Sequence, residues 1–164
     1  MTEKNAAISV LFVCMGNICR SPIAEGVFKE MIEEKGLSNC IYSDSAGTHG
    51  YHVGDRPDPR AIRVAADYGY DISNLRARQV EKEDFDRFDY IFFMDKNNES
   101  MLHTMAPTGR ADKLHYLMDF AGFGKMAVKD PYYGDRHDFE VTVELIEKAC
   151  PIIINKFAQM LAKA

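Results

Sequence analysis

The sequence lacks the long apolar runs and the basic clusters that mark several classes of protein. No apolar stretch approaches the roughly 18 residues of a membrane-spanning helix, so we expect no membrane span. The formal net charge is −5, which argues against a broad surface for nucleic acid, since such a surface needs clustered Lys and Arg. The acidic residues are spread along the chain, where we expect them to solvate the surface.

Cysteine is scarce as well. Four cysteines are too few for a disulfide framework, so the sequence predicts a protein of the reducing cytoplasm. The five histidines show no zinc-ligand spacing with these cysteines, so no metal is expected. The stretch AAISVLFVCM resembles a short signal-peptide core, but no small-x-small cleavage site follows it, which favours a buried strand. The cysteines are Cys14, Cys19, Cys40 and Cys150.

Four short apolar runs that alternate with helical patterns predict the fold. Such alternation favours a parallel sheet covered on both faces. We expect a single domain over residues 1–164, a three-layer α/β fold with a central four-stranded parallel sheet and helices on both faces. Active sites of such sheets lie beyond the carboxyl ends of the strands, which is where Cys14 falls. The predicted strands are residues 8–13, 40–45, 89–95 and 113–119.

Capping residues and apolar spacing predict three helices. In the first, Ser21 is the predicted N-cap, Pro22 takes the first helical position and Gly36 ends the helix. The second covers about residues 59–68. The last helix carries apolar residues on one face, and Pro151 should kink or break it by removing a backbone donor.

The first strand runs straight into the stretch VCMGNICRS, which begins at residue 13. Cys14 and Arg20 have the spacing C-x5-R, and a turn of this length can curl so that its backbone N–H groups surround an anion. The helix that follows adds the positive end of its dipole, and Arg20 can clamp two phosphate oxygens. Glycine at position 16 and asparagine at position 17 suit a tight turn. The predicted phosphate-binding residues are Met15, Gly16, Asn17, Ile18, Cys19, Arg20 and Ser21.

The same positive surroundings favour the thiolate form of Cys14. Thiols at helix N-termini with cationic neighbours ionise several pH units below the ordinary value of about 8.5. Cys14 is therefore expected to be a nucleophile at neutral pH, with Ser21 donating a hydrogen bond to its sulfur. Cysteine is also commonly buried as a small hydrophobe, and C-x5-R arises by chance. The loop alone leaves both interpretations open.

The stretch VLFVCMGNICRSPIAEGVF closely resembles the phosphate-binding loop and first helix of the low-molecular-weight protein tyrosine phosphatases. The resemblance continues in DSAGTHGYHVGDRPDPRA, ARQVEKEDFDRFDYIFFMD and DPYYGDRHDFE, in the family's order. It implies a phosphatase-I-like fold and hydrolysis of phosphotyrosine or aryl phosphates through a phosphocysteine. It also implies no metal or organic cofactor. The expected partners are phosphotyrosine proteins or small aryl phosphates, and a monomer is expected.

The resemblance also assigns an acid and an aromatic pocket. The aspartate that opens D-P-Y-Y in the family is the general acid, which maps onto Asp130; standing alone, DPYYGD is typical of a polar turn. Tyr132 and Tyr133 would line the mouth of the cleft. Tyr51 would form the opposing wall, and Ile18 would add apolar surface within the loop. The alternative is that the three tyrosines only pack the loop.

Further residues are carried over as supporting groups. The family implies that Cys19 forms a reversible disulfide with Cys14 and so prevents over-oxidation, whereas a small buried side chain is the alternative. Asn17 and Ser45 resemble a hydrogen-bonded pair that braces the loop. Asp95 occupies a position that supports the loop and its arginine.

One departure from the family concerns the brace of the loop. Many relatives carry a histidine just before the RARQ-like segment, bonded to the loop asparagine, and here Leu75 stands there. Leucine cannot donate that bond. We therefore expect Asn17 to be held by other groups, such as Ser45 or water.

The sequence also bears on three rival functions. One class of arsenate reductase needs a cysteine pair after the second helix, but no cysteine lies between Cys40 and Cys150. Arginine phosphatases of this type resemble a version with threonine in place of Ile18. A module that binds phosphate without hydrolysis is disfavoured by the presence of both Cys14 and Asp130.

Overall fold

A parallel four-stranded sheet organises the structure, a computed structural model that describes residues 5–164. The strand order is β2-β1-β3-β4, and all three pairings are parallel. The strands are β1 (Ile8–Cys14), β2 (Ile41–Gly47), β3 (Tyr90–Phe93) and β4 (Leu114–Tyr116). The α-helices are α1 (Arg20–Glu34), α2 (Pro59–Asp67), α3 (Asp84–Arg87), α4 (Lys96–Met105), α5 (Leu117–Phe120) and α6 (Arg136–Ala162).

Strand β1 lies in the middle of the sheet, and its side chains alternate between two hydrophobic clusters. Phe12 and Cys14 belong to the cluster that contains residues of α1, α2 and α6. Leu11 and Val13 belong to the cluster on the other face, with residues of α3 and α4. Every residue of β1 is buried, which explains why the strand is apolar apart from Ser9, whose hydroxyl donates to the carbonyl of Arg87. The predicted three-layer α/β fold is confirmed.

The predicted start of the first helix is wrong. Helix α1 begins at Arg20, with Cys19 as its N-cap residue, and neither Ser21 as a cap nor Pro22 at the first position is observed. The hydroxyl of Ser21 bonds to the side chains of Cys14 and Asn17, so it is not used to cap the helix.

The break that was the stronger of the two predicted effects of Pro151 is absent from the last helix. Helix α6 continues through Pro151, which lies on its exposed side. Its neighbours Cys150 and Ile153 are fully buried in the main hydrophobic cluster. Burial of this apolar face outweighs the backbone hydrogen bond that proline removes. None of the helices within residues 5–164 combines the length and apolar character needed to cross a bilayer.

Two of the strands are shorter than predicted. Strand β3 covers Tyr90–Phe93, and β4 ends at Tyr116 because the chain turns into α5 at Leu117. The carboxyl ends of β1 and β2 lie side by side, with Cys14 paired to Gly47. This edge of the sheet therefore carries the loop that sequence analysis singled out.

Candidate active site

A cavity of about 260 Å³ opens at the carboxyl end of β1. Its floor is the loop between β1 and α1, and its walls come from the segments around residues 51 and 132. Of the predicted site residues, Asn17, Ser21, Ser45 and Asp95 lie outside its lining. The lining residues are Cys14, Met15, Gly16, Ile18, Cys19, Arg20, Tyr51, His52, Asp130, Tyr132 and Tyr133.

The sulfur of Cys14 is buried and lies 3.1 Å from Oγ of Ser21. That oxygen also accepts a hydrogen bond from Nδ2 of Asn17 over 2.7 Å. A hydroxyl has a single proton, and the bond from Asn17 occupies one of its lone pairs. The Ser21 proton is therefore free to point at the sulfur and to donate a hydrogen bond to it.

The side chain of Asn17 braces the loop through three hydrogen bonds. Its Nδ2 donates to Oγ of Ser21 and, over 3.0 Å, to Oγ of Ser45. Its Oδ1 accepts from the backbone N–H of Arg78 over 3.0 Å. Asn17 also has a φ of 56°, a left-handed conformation that asparagine tolerates. These groups supply the brace that Leu75 cannot provide, while Leu75 packs against the hydrophobic cluster.

The hydrogen-bonded chain continues from Ser45 to Glu25, a residue that sequence analysis missed. Oγ of Ser45 donates to Oε1 of Glu25 over 2.6 Å, and Lys29 forms an ion pair with the same carboxyl group. Glu25 is buried, and this burial raises the pKa of its carboxyl group. The sequence did carry a signal for this residue, because a glutamate on the apolar face of a helix is unusual.

The guanidinium of Arg20 is buried beneath the cavity and is only partly satisfied. Its Nη1 donates to Oδ2 of Asp95 over 2.6 Å and to the carbonyl of Val128 over 3.0 Å. Burial works to lower the pKa of Arg20, but the neighbouring Cys14 and Asp95 raise it overall. Its Nε has no hydrogen-bond partner among residues 5–164. An unpartnered buried donor beside a cavity fits the binding of an anion there.

Asp130 lies across the cavity from the loop. Its Oδ2 is 3.5 Å from Nη2 of Arg20, and its Oδ1 accepts from the backbone N–H of Tyr132 over 3.1 Å. The segment before it is tied to the sheet, because the N–H of Val128 donates to the carbonyl of Met94 over 2.8 Å. The carboxyl group is partly exposed, so water has access to it.

Aromatic rings line the mouth of the cavity. Tyr51 stacks on His49, with ring centroids 5.3 Å apart, and Tyr132 meets Tyr133 edge to face at 4.9 Å. Tyr133 is 93% exposed and Tyr51 is 76% exposed, so both rings are open to a ligand. Ile18, on the loop itself, adds apolar surface to the floor.

His52 lines the cavity as well, and sequence analysis did not select it. A Cβ at Gly16 would lie 3.1 Å from Cδ2 of the His52 ring, closer than an ordinary van der Waals contact. Gly16 is not among the residues with positive φ, so the close approach of His52, and not a left-handed backbone, favours glycine here. Of the two residues expected to suit the turn by their backbone freedom, Asn17 is therefore the one with a left-handed conformation.

Cys19 lies in the same loop with its thiol buried. Burial raises the pKa of this thiol well above its ordinary value, so it stays protonated at neutral pH. All four cysteines are unpaired. In the described chain, no group of three or more His, Cys, Asp or Glu side chains is placed to hold a metal ion.

Comparisons with known proteins agree with this geometry. A family described as low molecular weight phosphotyrosine protein phosphatase matches residues 9–163. A low molecular weight protein-tyrosine-phosphatase of Streptomyces coelicolor is 44% identical over 85% of this chain and 87% of its own length. The human low molecular weight phosphotyrosine protein phosphatase is 39% identical over 93% of this chain and 98% of its own length.

Solved structures are similar over the same range. The crystal structure of a protein tyrosine phosphatase from Entamoeba histolytica has a TM-score of 0.88 and 38% sequence identity. The match covers 93% of this chain and 97% of that one. The sequence match, the fold and the loop geometry agree, and the chain belongs to the low molecular weight phosphotyrosine protein phosphatases, a family of hydrolases.

Proposed function

We propose that the protein hydrolyses phosphotyrosine and aryl phosphate monoesters through a phosphocysteine intermediate. The observation that carries this proposal is the unpartnered Nε of Arg20, buried beside the cavity that also holds Cys14 and Asp130. A buried donor without a partner is costly unless a ligand satisfies it. A planar guanidinium matches the oxygens of a phosphate group.

In the first step, the thiolate of Cys14 attacks phosphorus and the bond from phosphorus to the ester oxygen breaks. Backbone N–H groups of the loop and the guanidinium of Arg20 stabilise the charge on the equatorial oxygens. Asp130, in its protonated form, gives its proton to the leaving phenolic oxygen. The products of this step are a phenol and phosphocysteine.

In the second step, the carboxylate of Asp130 takes a proton from a water molecule, which attacks phosphorus. The sulfur–phosphorus bond breaks, and inorganic phosphate and the Cys14 thiolate are released. The hydroxyl of Ser21, 3.1 Å from the sulfur, stabilises the thiolate as it leaves. Asp95 holds Arg20 in place through both steps by their 2.6 Å ion pair.

The aromatic mouth supports phosphotyrosine as the substrate. Tyr51, Tyr132 and Tyr133 offer ring faces and edges for stacking against a phenyl group. Phosphoserine is shorter, so its phosphorus would not reach the buried sulfur of Cys14. The partners proposed are therefore phosphotyrosine proteins or small aryl phosphates.

The remaining features concern the setting of the reaction. A single domain over residues 1–164, acting as a monomer, is proposed to carry the activity. The cytoplasm is the proposed location because the four cysteines are free, and a reducing compartment keeps thiols in that state.

The proposal is tested with p-nitrophenyl phosphate and matched phosphotyrosine and phosphoserine peptides. The wild type should hydrolyse the first two and leave the phosphoserine peptide almost unchanged. Cys14→Ser should abolish turnover, because serine at this position is a far weaker nucleophile. Asp130→Ala should slow turnover about 10²-fold or more, the ordinary contribution of a positioned acid, while substrate capture is retained.

The rival functions give different results in the same assay. A phosphate-binding module would release no p-nitrophenol. An arsenate reductase would consume arsenate only in the presence of a thiol. Comparable turnover of the phosphoserine peptide would overturn the proposed substrate class, and full activity of Asp130→Ala on phenyl phosphate would overturn the acid assignment.

A further inference from the structure

The start of helix α2 lies between the two loops that carry the reacting groups. Asp58 is the N-cap of this helix, and its carboxylate accepts from the backbone N–H of Arg60 over 2.8 Å. The backbone N–H of Asp58 donates to the carbonyl of Ile18 over 2.8 Å. The helix start is therefore attached directly to the phosphate-binding loop.

The carboxylate of Asp58 fixes the orientation of the Arg60 side chain. Nε of Arg60 donates to Oδ1 of Asp58 over 3.0 Å, and Nη2 donates to Oδ2 over 2.9 Å. Burial works to raise the pKa of Asp58, but these bonds lower it overall, so the carboxylate is charged at neutral pH. A two-point contact of this kind holds the planar guanidinium in a single orientation.

The fixed guanidinium reaches the segment that carries the proposed acid. Nη2 of Arg60 donates to the carbonyl of Tyr132 over 3.0 Å. The guanidinium carbon also lies 5.4 Å from the centroid of the Tyr132 ring and 4.8 Å from that of Phe139. Phe139 is a fully buried residue of α6, so its ring is a fixed surface for a cation–π contact with the guanidinium of Arg60.

Tyr132 in turn holds Asp130. Its N–H donates to Oδ1 of Asp130, and its carbonyl is the group that Arg60 holds. The Asp130 side chain is partly exposed, and within residues 5–164 its polar contacts are this N–H and Nη2 of Arg20 at 3.5 Å. A shift of about 1 Å in such a group is enough to slow catalysis about 10²-fold.

We propose that Arg60, oriented by Asp58, is a positioning residue that holds the carboxyl group of Asp130 over the phosphate-binding loop. This inference rests on the proposed function, in which Asp130 is the general acid. Arg60 acts through Tyr132, and Asp58 connects the same unit to Ile18. Asp58, the N-cap of α2, and Arg60 in its first turn thereby fix the position of the acid relative to the phosphate-binding loop.

The test compares aryl phosphates whose leaving groups differ in their need for a proton. Arg60→Ala should lower kcat/KM for phenyl phosphate about tenfold, a part of the full contribution of a positioned acid. For a dinitrophenyl phosphate, whose phenolate leaves without help, the loss should be less than about threefold. Asp58→Asn keeps a helix cap but releases Nη2 of Arg60, so it should show the same bias to a smaller extent.

Three controls separate positioning from a general structural effect. Arg63→Ala removes an exposed arginine of the same helix and should leave both rates unchanged. Inhibition by inorganic phosphate should be equal in Arg60→Ala and the wild type, because the phosphate-binding loop keeps its bond to Asp58. In the Asp130→Ala background, Arg60→Ala should cause no further loss, since the two residues act as one unit.

Several results would overturn the inference. They are an equal loss for both leaving groups, weaker inhibition by phosphate, or an additive loss in the double variant. If Arg60→Ala fails to fold, Asp58→Asn carries the same test. Failure of the proposed function is a separate result: the wild type would release no phenol, or Asp130→Ala would show no dependence on the leaving group.

Discussion

Oγ of Ser45 donates a hydrogen bond to Oε1 of Glu25 over 2.6 Å, and both residues are buried next to the loop between β1 and α1. Through Asn17 and Ser21, the same chain of hydrogen bonds reaches the sulfur of Cys14. The loop is therefore braced by a fully bonded network, in which each member fixes the orientation of the next. Three predictions concern this network. The first two change Glu25 and Ser21, and the third changes the partner of Arg78, whose backbone N–H donates to Asn17.

The first prediction concerns the charge of Glu25. Burial raises the pKa of this carboxyl group. Its ionisation therefore lowers the free energy of unfolding, and this loss grows as the pH rises above the unfolded pKa of about 4.3. Glu25→Gln keeps an acceptor for Ser45 and removes that cost. It should be at least as stable as the wild type at pH 7, as measured by urea unfolding.

Glu25→Ala is the matched comparison. It removes the acceptor and leaves the Ser45 hydroxyl without its partner, so it should lower the free energy of unfolding by about 1–3 kcal/mol. If Glu25→Gln were as destabilised as Glu25→Ala at pH 7, the charge of Glu25 would be stabilising and the prediction wrong.

The second prediction concerns the proposed hydrolysis of the phosphocysteine intermediate. Ser21→Ala removes the hydroxyl 3.1 Å from the Cys14 sulfur. A hydrogen bond to a charged group contributes about 1.5–3 kcal/mol, so kcat should fall about tenfold or more. Stopped-flow measurements should then show a burst of p-nitrophenol, because release of the thiolate has become the slow step. A fall in kcat/KM with kcat unchanged would contradict this role.

The third prediction concerns stability in acid. Asp84 is fully buried and accepts from the side chains of Arg78 and Arg87 and from the N–H of Glu81. Burial works to raise the pKa of Asp84, but these bonds lower it overall. A lowered pKa stabilises the fold above the unfolded value of about 3.9, and this contribution disappears as the pH falls through the folded value.

Asp84→Asn should therefore lower the free energy of unfolding by about 1.5–3 kcal/mol at pH 7, since the buried carboxylate accepts from two arginines and a backbone N–H, whereas asparagine has a single acceptor oxygen. The difference from the wild type should shrink as the pH falls below about 4. Asp86→Asn is the control on the same helix, because its ion pair with Arg110 is exposed and should contribute less than about 1 kcal/mol. A difference that grew in acid would contradict the assignment.

The sequence predicted the fold well because the strongest signals are local. The run from Val10 to Val13 in β1 is apolar throughout because every residue of the strand is buried, and a stretch of this kind has few other interpretations. The start of α1 was not predictable in the same way. A hydroxyl at Ser21 can cap a helix or bond to a side chain, and only the position of Cys14 decides between them. Pro151 likewise looks like an interruption until the burial of its neighbours is known.

Motifs pointed to most of the residues that line the cavity and to the supporting residues Asn17, Ser45 and Asp95, whereas other supporting contacts were not predicted. Arg60 bonds to Tyr132, which is 72 positions away along the chain, and Glu25 bonds to Ser45, 20 positions away. Such contacts depend on how α1 and α2 pack, which no local pattern encodes. His52 was missed for the same reason, since its closeness to Gly16 arises only when two loops meet.

The last prediction concerns oxidation. Peroxide should oxidise Cys14 to a sulfenic acid first, because burial raises the pKa of Cys19 and keeps that thiol neutral and unreactive. The Cys19 sulfur then attacks the sulfenic sulfur, water leaves and a disulfide forms. Cys19→Ser cannot form this bond, so its Cys14 should proceed to sulfinic acid. Activity recovered with dithiothreitol should be nearly complete in the wild type and in Cys40→Ser, and small in Cys19→Ser. Equal recovery in all three, with no loss of two hydrogens in the mass of the oxidised wild type, would show that Cys19 only fills space in the loop.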